Sequence, residues 1–183
     1  MKDMIRQVMG TELHPANRIR MADISWDDLM SELGYDFPLS EFKTSDLEAI
    51  CHAHGIPFIA RPDESLEGLM NGKIDLVFRY EGKYYILDWK SNHLEDQVLD
   101  YSVGRIREAM ADNNYHLQYH IYTMALCKYL RTRLPDFDYE RDYGVCFYLF
   151  VRGMRSGSDT GVFFHKPDAS VIEYIQALTA VAG

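Results

Sequence analysis

The segment from Gly72 to Asn92, GKIDLVFRYEGKYYILDWKSN, constrains the fold more than any other part of the chain. KIDLVFRY and KYYILDWK read as two strands of a hairpin joined by the short Glu81-Gly82 turn. Strand alternation puts Asp88 and Lys90 on one face of the second strand. With a two-residue loop, Tyr80 faces Lys83, which sets Asp75 opposite Asp88 and Lys73 opposite Lys90. Directly opposed side chains have Cβ atoms about 4.5–5.5 Å apart, and like charges at that separation repel. A chain that keeps such a pair is expected to share a cation across it. A polar sheet edge carrying chance acids is the plain alternative.

The chemistry that suits this arrangement is metal-assisted hydrolysis of a phosphodiester. Two close carboxylates suit Mg²⁺, with Mn²⁺ or Ca²⁺ as substitutes in binding, because a hard cation takes oxygen ligands and keeps several waters. Such an ion polarises a phosphoryl oxygen and makes bound water more acidic. Lys90 brings a cation to the same spot, where it could orient the attacking water or stabilise charge on the phosphate. Otherwise Lys90 is a solvated partner for the acids.

At these residues the chain resembles a known family. Asp75 followed by Asp88-Trp89-Lys90 is similar to the D…(D/E)xK signature of the restriction-endonuclease-like nucleases. The wider segments GLMNGKIDLVFRYEGKYYILDWKSN, YHLQYHIYTMALCKYLRTRLPDFDYE and GVCFYLFVRGM resemble the C-terminal nuclease domain of RecB subunits of RecBCD helicase–nucleases, the beta subunit of exodeoxyribonuclease V. The likeness is specific from Gly68 to Met154 and thinner on either side.

The resemblance implies a restriction-endonuclease-like α/β fold and a Mg²⁺-dependent exo- or endodeoxyribonuclease. It implies metal ligation by Asp75, Asp88 and the main-chain carbonyl of Trp89, with Lys90 as the catalytic lysine. The family's upstream glutamate falls on Glu32 in SELGYDFPLS, and its glutamine and tyrosine fall on Gln118 and Tyr122 in LQYHIY. Residues four apart on a helix share a face, so Gln118 and Tyr122 could both reach the site while Leu117, Ile121 and Met124 face the core. Ordinary amphipathic patterning accounts for the same residues equally well. The family also carries a metal-ligating histidine on a helix well upstream of the glutamate. Here the only histidine before Glu32 is His14, eighteen residues earlier and followed by Pro15. Pro15 restricts any helix to starting there, so the family's histidine is expected to lie beyond the N-terminus of this chain. His52, His54, His93, His116 and His120 show no metal-binding pattern.

At 183 residues and 47% hydrophobic, the chain is long enough for one domain with a real core. No run of eighteen apolar residues is present, and the start, MKDMIRQVMG, lacks a signal-peptide core. Cys51, Cys127 and Cys146 are odd in number and without CxxC spacing, so reduced thiols in a cytoplasmic protein are expected. The net charge of −9 argues mildly against a nucleic-acid partner, although metal-holding carboxylates would be neutralised. Basic residues cluster at Lys128, Arg131 and Arg133, where a helix C-terminus explains them, and at Arg152 and Arg155 after a strand.

Along the chain, DISWDDLMSEL has a short helical look, and SDLEAICHAHG ends in a glycine suited to closing a helix. PFIARPDESLEG, between Gly55 and Gly68, reads as a loop. Helical spacing runs from Asp96 to Met110 and from Asn113 to Leu134, broken around Asp112-Asn113-Asn114. VCFYLFV, Val145 to Val151, reads as a strand covered on both faces. GMRSGSDTG is a turn and VFFH a short strand. Ser170 to Val181 is a closing helix with Val171, Ile175 and Leu178 on one side. The pattern predicts one domain, a mixed sheet flanked by helices, with flank 1–67, core 68–154 and a closing strand and helix in 155–183. No GxxxxGK[ST] loop is present, so an ATP-driven motor would lie elsewhere. The expected partners are DNA, as single strands delivered by a helicase, and other subunits of a RecBCD-type complex, with no membrane. A non-catalytic docking module of the same fold and another restriction-like endonuclease are the alternatives, and fold alone does not decide among them.

Overall fold

A computed structural model describes residues 2–37, 44–59 and 71–180. Among these, helix α1 (Lys2–Gly10) is followed by strand β1 (Leu29–Asp36) and α2 (Thr44–Ala53). The hairpin strands β2 (Asn71–Tyr80) and β3 (Lys83–Lys90) come next, then helices α3 (Val103–Asp112) and α4 (Tyr115–Arg131). The chain closes with a single turn α5 (Tyr139–Asp142), β4 (Tyr143–Phe150), β5 (Val162–His165) and α6 (Ala169–Ala180). The described strands form one sheet in the order β1-β2-β3-β4-β5. Every neighbouring pair is antiparallel except β3–β4, which is parallel and joined through α3 and α4. This is the mixed α/β sheet flanked by helices that the sequence predicted.

The sheet is buried on both faces. On one face Val77, Ile86, Cys146, Tyr148 and Phe150 pack with Leu117, Ile121 and Met124 of α4 and Val171 and Ile175 of α6. On the other, Phe78, Tyr85, Leu87, Phe147 and Leu149 are covered by Val8, Leu13, Ile19, Met21 and Ile24 of the N-terminal segment. The apolar run of β4 is thereby explained, since both of its faces need apolar cover. The hairpin register is as predicted from Tyr80↔Lys83 to Leu76↔Leu87. Glu81 and Gly82 take φ of 48° and 81°, the sign that a primed two-residue turn requires.

Three local expectations are corrected. DISWDDLMSEL is not a helix: Trp26–Asp28 makes one 3-10 turn capped by Ser25, and Leu29 starts β1. Its ladder partners in β2, from Leu29↔Phe78 to Asp36↔Asn71, override the local helical pattern. The helix expected from Asp96 starts only at Val103, because Ser102 is extended (φ −63°, ψ 160°) and a separate 3-10 turn spans Val98–Tyr101. Helix α1 also forms in a stretch for which no element was predicted. The break near Asn114 is present, with that residue left-handed at φ 55° ahead of α4. Pro38, residues 60–68 of the expected loop, Val181 and the Leu178 side chain lie outside what the structure describes.

Packing on the second face depends on one missing side chain. The Tyr85 ring stacks on Phe78 and Phe147 at 5.0 and 6.0 Å, and its hydroxyl accepts a hydrogen bond from Asn17 Nδ2 at 3.2 Å. It lies across Gly144, where a Cβ would come within 2.1 Å of Tyr85 Cε1. The ring is held on all these sides and has little room to withdraw. Gly144→Ala should therefore lower the unfolding free energy by about 2 kcal/mol in urea titration. Gly104→Ala, in α3 with no neighbour within 4 Å, should be neutral or gain up to about 1 kcal/mol from helix propensity.

Candidate active site

Alternation along β3 sends Ile86, Asp88 and Lys90 toward α4 and leaves Trp89 on the opposite face, 38% exposed. Asp88 is 4% and Lys90 8% exposed, both unusual for charged side chains. They are tied to each other, Lys90 Nζ to Asp88 Oδ2, at 2.6 Å. Burial pushes the Asp88 carboxyl above its ordinary range, against the pull of Lys90 and with a further push from Asp75.

Asp75 reaches this spot by an irregularity in two strands. Met30 and Leu33 of β1 both lean on the helix-covered core, as do Ile74 and Val77 opposite them. Residues three apart on a regular strand face opposite ways, so the alternation slips once in each strand. Ser31↔Leu76 and Leu33↔Ile74 flank the slip, Glu32 sits in it with φ 53°, and Asp75 is level with it. The β2–β3 ladder ends at Leu76↔Leu87, so Asp75 and Asp88 do not form the directly opposed ladder pair that the turn predicted. Instead, Asp75 Oδ2 accepts the main-chain N–H of Trp89 at 2.9 Å, standing in for a ladder acceptor. Lys73 does not face Lys90 either. It pairs with Gly34 of β1, and its Nζ donates to Glu32 Oε2 at 2.8 Å.

Of the two helix residues that the resemblance implied, Gln118 is bonded to the cluster and Tyr122 lies close enough to feel the Asp88 charge. Lys90 Nζ donates to Gln118 Oε1 at 3.0 Å, and the same oxygen accepts from the Tyr148 hydroxyl at 3.0 Å. Tyr122 is buried beside Tyr35, with ring centroids 5.6 Å apart. Desolvation first, and the nearby Asp88 charge second, hold the Tyr122 hydroxyl firmly protonated and push Tyr35 up to about 12. Glu32 is exposed and engaged by Lys73, whose hydrogen bond lowers its carboxyl below the ordinary range. The sequence reading missed Tyr115, Tyr148 and Asn92. Their signals were present: Tyr115 is three residues before Gln118 on the same helical face, and Tyr148 carries a hydroxyl inside the otherwise apolar run VCFYLFV.

The donors that converge are the Asp75 and Asp88 carboxylates, each with one oxygen used by a protein group and the second without a hydrogen-bond partner among the described residues. No group of three or more His, Cys, Asp or Glu side chains in metal-binding arrangement occurs among the described residues. Such an all-oxygen pair suits a cation that retains much of its water and does not suit a zinc-type cage. His14 is remote: its ring packs on Phe164 and Phe147 at 4.5 and 6.5 Å, on the face away from Asp88 and Lys90. Cys51, Cys127 and Cys146 are buried free thiols. Lys128 and Arg133 lie over the rings of Phe37 and Tyr129, and Arg131 bonds Gln176, so this cluster serves the end of α4. No helix among the described residues is long and apolar enough to cross a membrane.

Comparison with known proteins follows the geometry. Over 176 residues the chain is 36% identical to RecBCD enzyme subunit RecB of Haemophilus influenzae, covering 94% of the chain and 14% of that protein. It is 41% identical over 116 residues to the Escherichia coli subunit, covering 63% of the chain and 10% of that protein. With the Mycobacterium tuberculosis subunit it shares 35% over 167 residues, 85% of the chain and 14% of that protein. The chain is homologous to one part of the RecB subunits. It spans only about one seventh of the RecB subunits that it matches along most of its own length. No family model matches it.

One buried histidine, His120, should contribute to the pH response of this chain. His120 donates from Nδ1 to the His116 carbonyl at 2.7 Å, and burial lowers its pKa to about 4; His116 and His165 are lowered for the same reason. The unfolded chain binds these protons near the ordinary value of 6.5, and the folded chain does not. The stability that His120 contributes is therefore complete above pH 6.5 and is lost as pH falls toward 4, by up to about 3 kcal/mol. Urea titrations at pH 7.5 and 5.0 should show this loss in the wild type and a smaller one in His120→Gln; equal losses would clear His120 of the effect.

Proposed function

We propose that this chain is a metal-dependent nuclease domain that hydrolyses DNA phosphodiester bonds, and that it works within a RecBCD-type enzyme in the repair of double-strand breaks. The observation that carries the reading is the meeting of Asp75, Asp88 and Lys90 at one strand end, with Asp88 and Lys90 buried. Kinship with RecB subunits supports it, as does the D…(D/E)xK signature. A docking module has no evident use for an ion pair whose burial costs several kcal/mol per charge before pairing.

Asp75 and Asp88 are the residues that would hold Mg²⁺, with the Trp89 carbonyl as a further oxygen. When bound, the ion supplies a Lewis acid for the phosphoryl oxygen and lowers the pKa of water. Asp88 serves twice, as ligand and as the anchor of Lys90. The Lys90 ammonium offers fixed positive charge where negative charge grows on the phosphate, in a setting with little water to reorganise. Gln118 holds that ammonium from the helix side. Tyr122 stays protonated and so can only donate from its hydroxyl to an anionic group entering the site. Glu32 would join the site only by leaving Lys73. Single strands of DNA are the proposed substrate, fed by a motor outside this chain, and the other subunits of the complex are its proposed partners.

Cleavage of single-stranded DNA with Mg²⁺ tests the reading. Asp75→Ala removes a ligand and one exposed hydrogen bond, so activity should fall at least about 100-fold while stability changes by no more than about 1 kcal/mol. Lys90→Gln should lose activity to a similar degree, and Lys90→Arg should recover little, because a broader fork cannot replace a point charge in a closed site. Folded variants of Asp75 and Lys90 that both cut at the wild-type rate would sink the proposal.

A further inference from the structure

Lys90 is held by more than its carboxylate. Its ammonium lies 3.8 Å from the centre of the Tyr115 ring and 4.8 Å from that of Tyr148. Those two rings are neighbours, with centroids 5.7 Å apart. Each ring is tied back to the site by its own hydroxyl. Tyr148, fully buried on β4, donates to the Gln118 oxygen that also accepts from Lys90. Tyr115, the first residue of α4, donates at 3.2 Å to Asn92 Oδ1, two residues beyond Lys90. The ammonium is thus enclosed by a carboxylate, an amide oxygen and two aromatic faces, drawn from β3, α4 and β4.

Such an enclosure answers a specific difficulty. Lysine is a strongly hydrated point charge on a flexible four-carbon stem, and a single ion pair fixes its distance from one atom without fixing its direction. Aromatic faces attract the cation and contribute no competing proton acceptor of full charge. They also take the place of water on the sides of the ammonium that they cover. Resting on the nuclease reading above, we infer that Tyr115 and Tyr148 are positioning residues. They aim Lys90 at the reacting phosphate, Tyr115 through its ring and Tyr148 through its ring and its grip on Gln118. Neither needs to touch substrate.

The test has two arms on the full chain. In the first, protein labelled with ¹³C-lysine is observed by NMR without metal or DNA, with the Lys90 signal assigned by its loss in Lys90→Gln. Ring currents should place the Lys90 ε-methylene protons upfield of those of the other lysines, and Tyr115→Leu should return them toward the common position while Tyr115→Phe leaves them shifted. In the second arm, Mg²⁺-dependent cleavage of single-stranded DNA is measured. Tyr115→Leu should lower kcat about tenfold or more, with KM changed by no more than about twofold. Tyr115→Phe, which keeps the ring, should recover most of the rate, and Tyr148→Phe should lose a few-fold in kcat with the Lys90 signal still upfield. Circular dichroism and melting curves confirm that each variant is folded. A wild-type Lys90 signal at the common position overturns the inference, as does a Tyr115→Leu protein that moves the signal and keeps the wild-type kcat. A wild type with the shifted signal and no cleavage overturns the nuclease reading and leaves the enclosure of Lys90 standing.

Discussion

The contact between Asp88 and Lys90 at 2.6 Å sets the terms for everything built around it. Two opposite charges taken out of water lose several kcal/mol of hydration each, and their attraction repays this only when further hydrogen bonds complete the site. Gln118, Tyr148 and Tyr115 supply that completion on the Lys90 side. On the Asp88 side completion is partial: burial raises its pKa even with the lysine attached. Under the nuclease reading, a carboxylate left under-compensated beside a second carboxylate would gain from a divalent cation. The same desolvation that costs the fold stability makes the site electrostatically strong.

The sheet places Asp75 at this point by giving up regularity. A regular β1–β2–β3 ladder would have continued past Leu76↔Leu87 and turned Asp75 by strict alternation. The slip at Glu32 and Asp75 ends the β2–β3 ladder there and lets a carboxylate serve the Trp89 N–H. Glu32 holds a left-handed backbone, uncommon for a residue with a side chain. Its salt bridge to Lys73 is exposed on both sides and adds little. The ladder pairs on either side hold the slip in place, so the site rests on backbone pairing more than on surface charges.

How far the sequence disclosed this follows the range of the forces involved. The hairpin was legible because a two-residue turn with glycine fixes its register locally. Asp88 and Lys90 sharing a face follows from the same period of two. Gln118 and Tyr122 came from the family resemblance; their spacing on a helix agreed with it without singling them out. The non-ladder placement of Asp75 was not, since it arises from a slip shared with β1, a partner more than forty residues away in the chain. Strand β1 itself was hidden: its exposed and half-buried pattern gives no apolar alternation, and the acids of SWDD before it favour a helical turn. The enclosure of Lys90 was invisible for a similar reason. Tyr148 meets Lys90 only because β4 lies parallel to β3, and a hydrophobic run does not announce its neighbour.

Under the nuclease reading, the net charge of −9 is less paradoxical once the chain's cations are followed. Lys73 is held by Glu32, Arg20 by Asp23, Arg105 by Glu108, Arg141 by Asp142 and Lys166 by Glu140. Arg152 donates to the Ser91 carbonyl, one residue past Lys90. Most of these pairs are exposed and weak, and each occupies a cation that could otherwise meet a phosphate backbone. Under the nuclease reading, then, the chain contributes a small, dry and strongly polar site, and the task of holding the polymer passes to whatever delivers it.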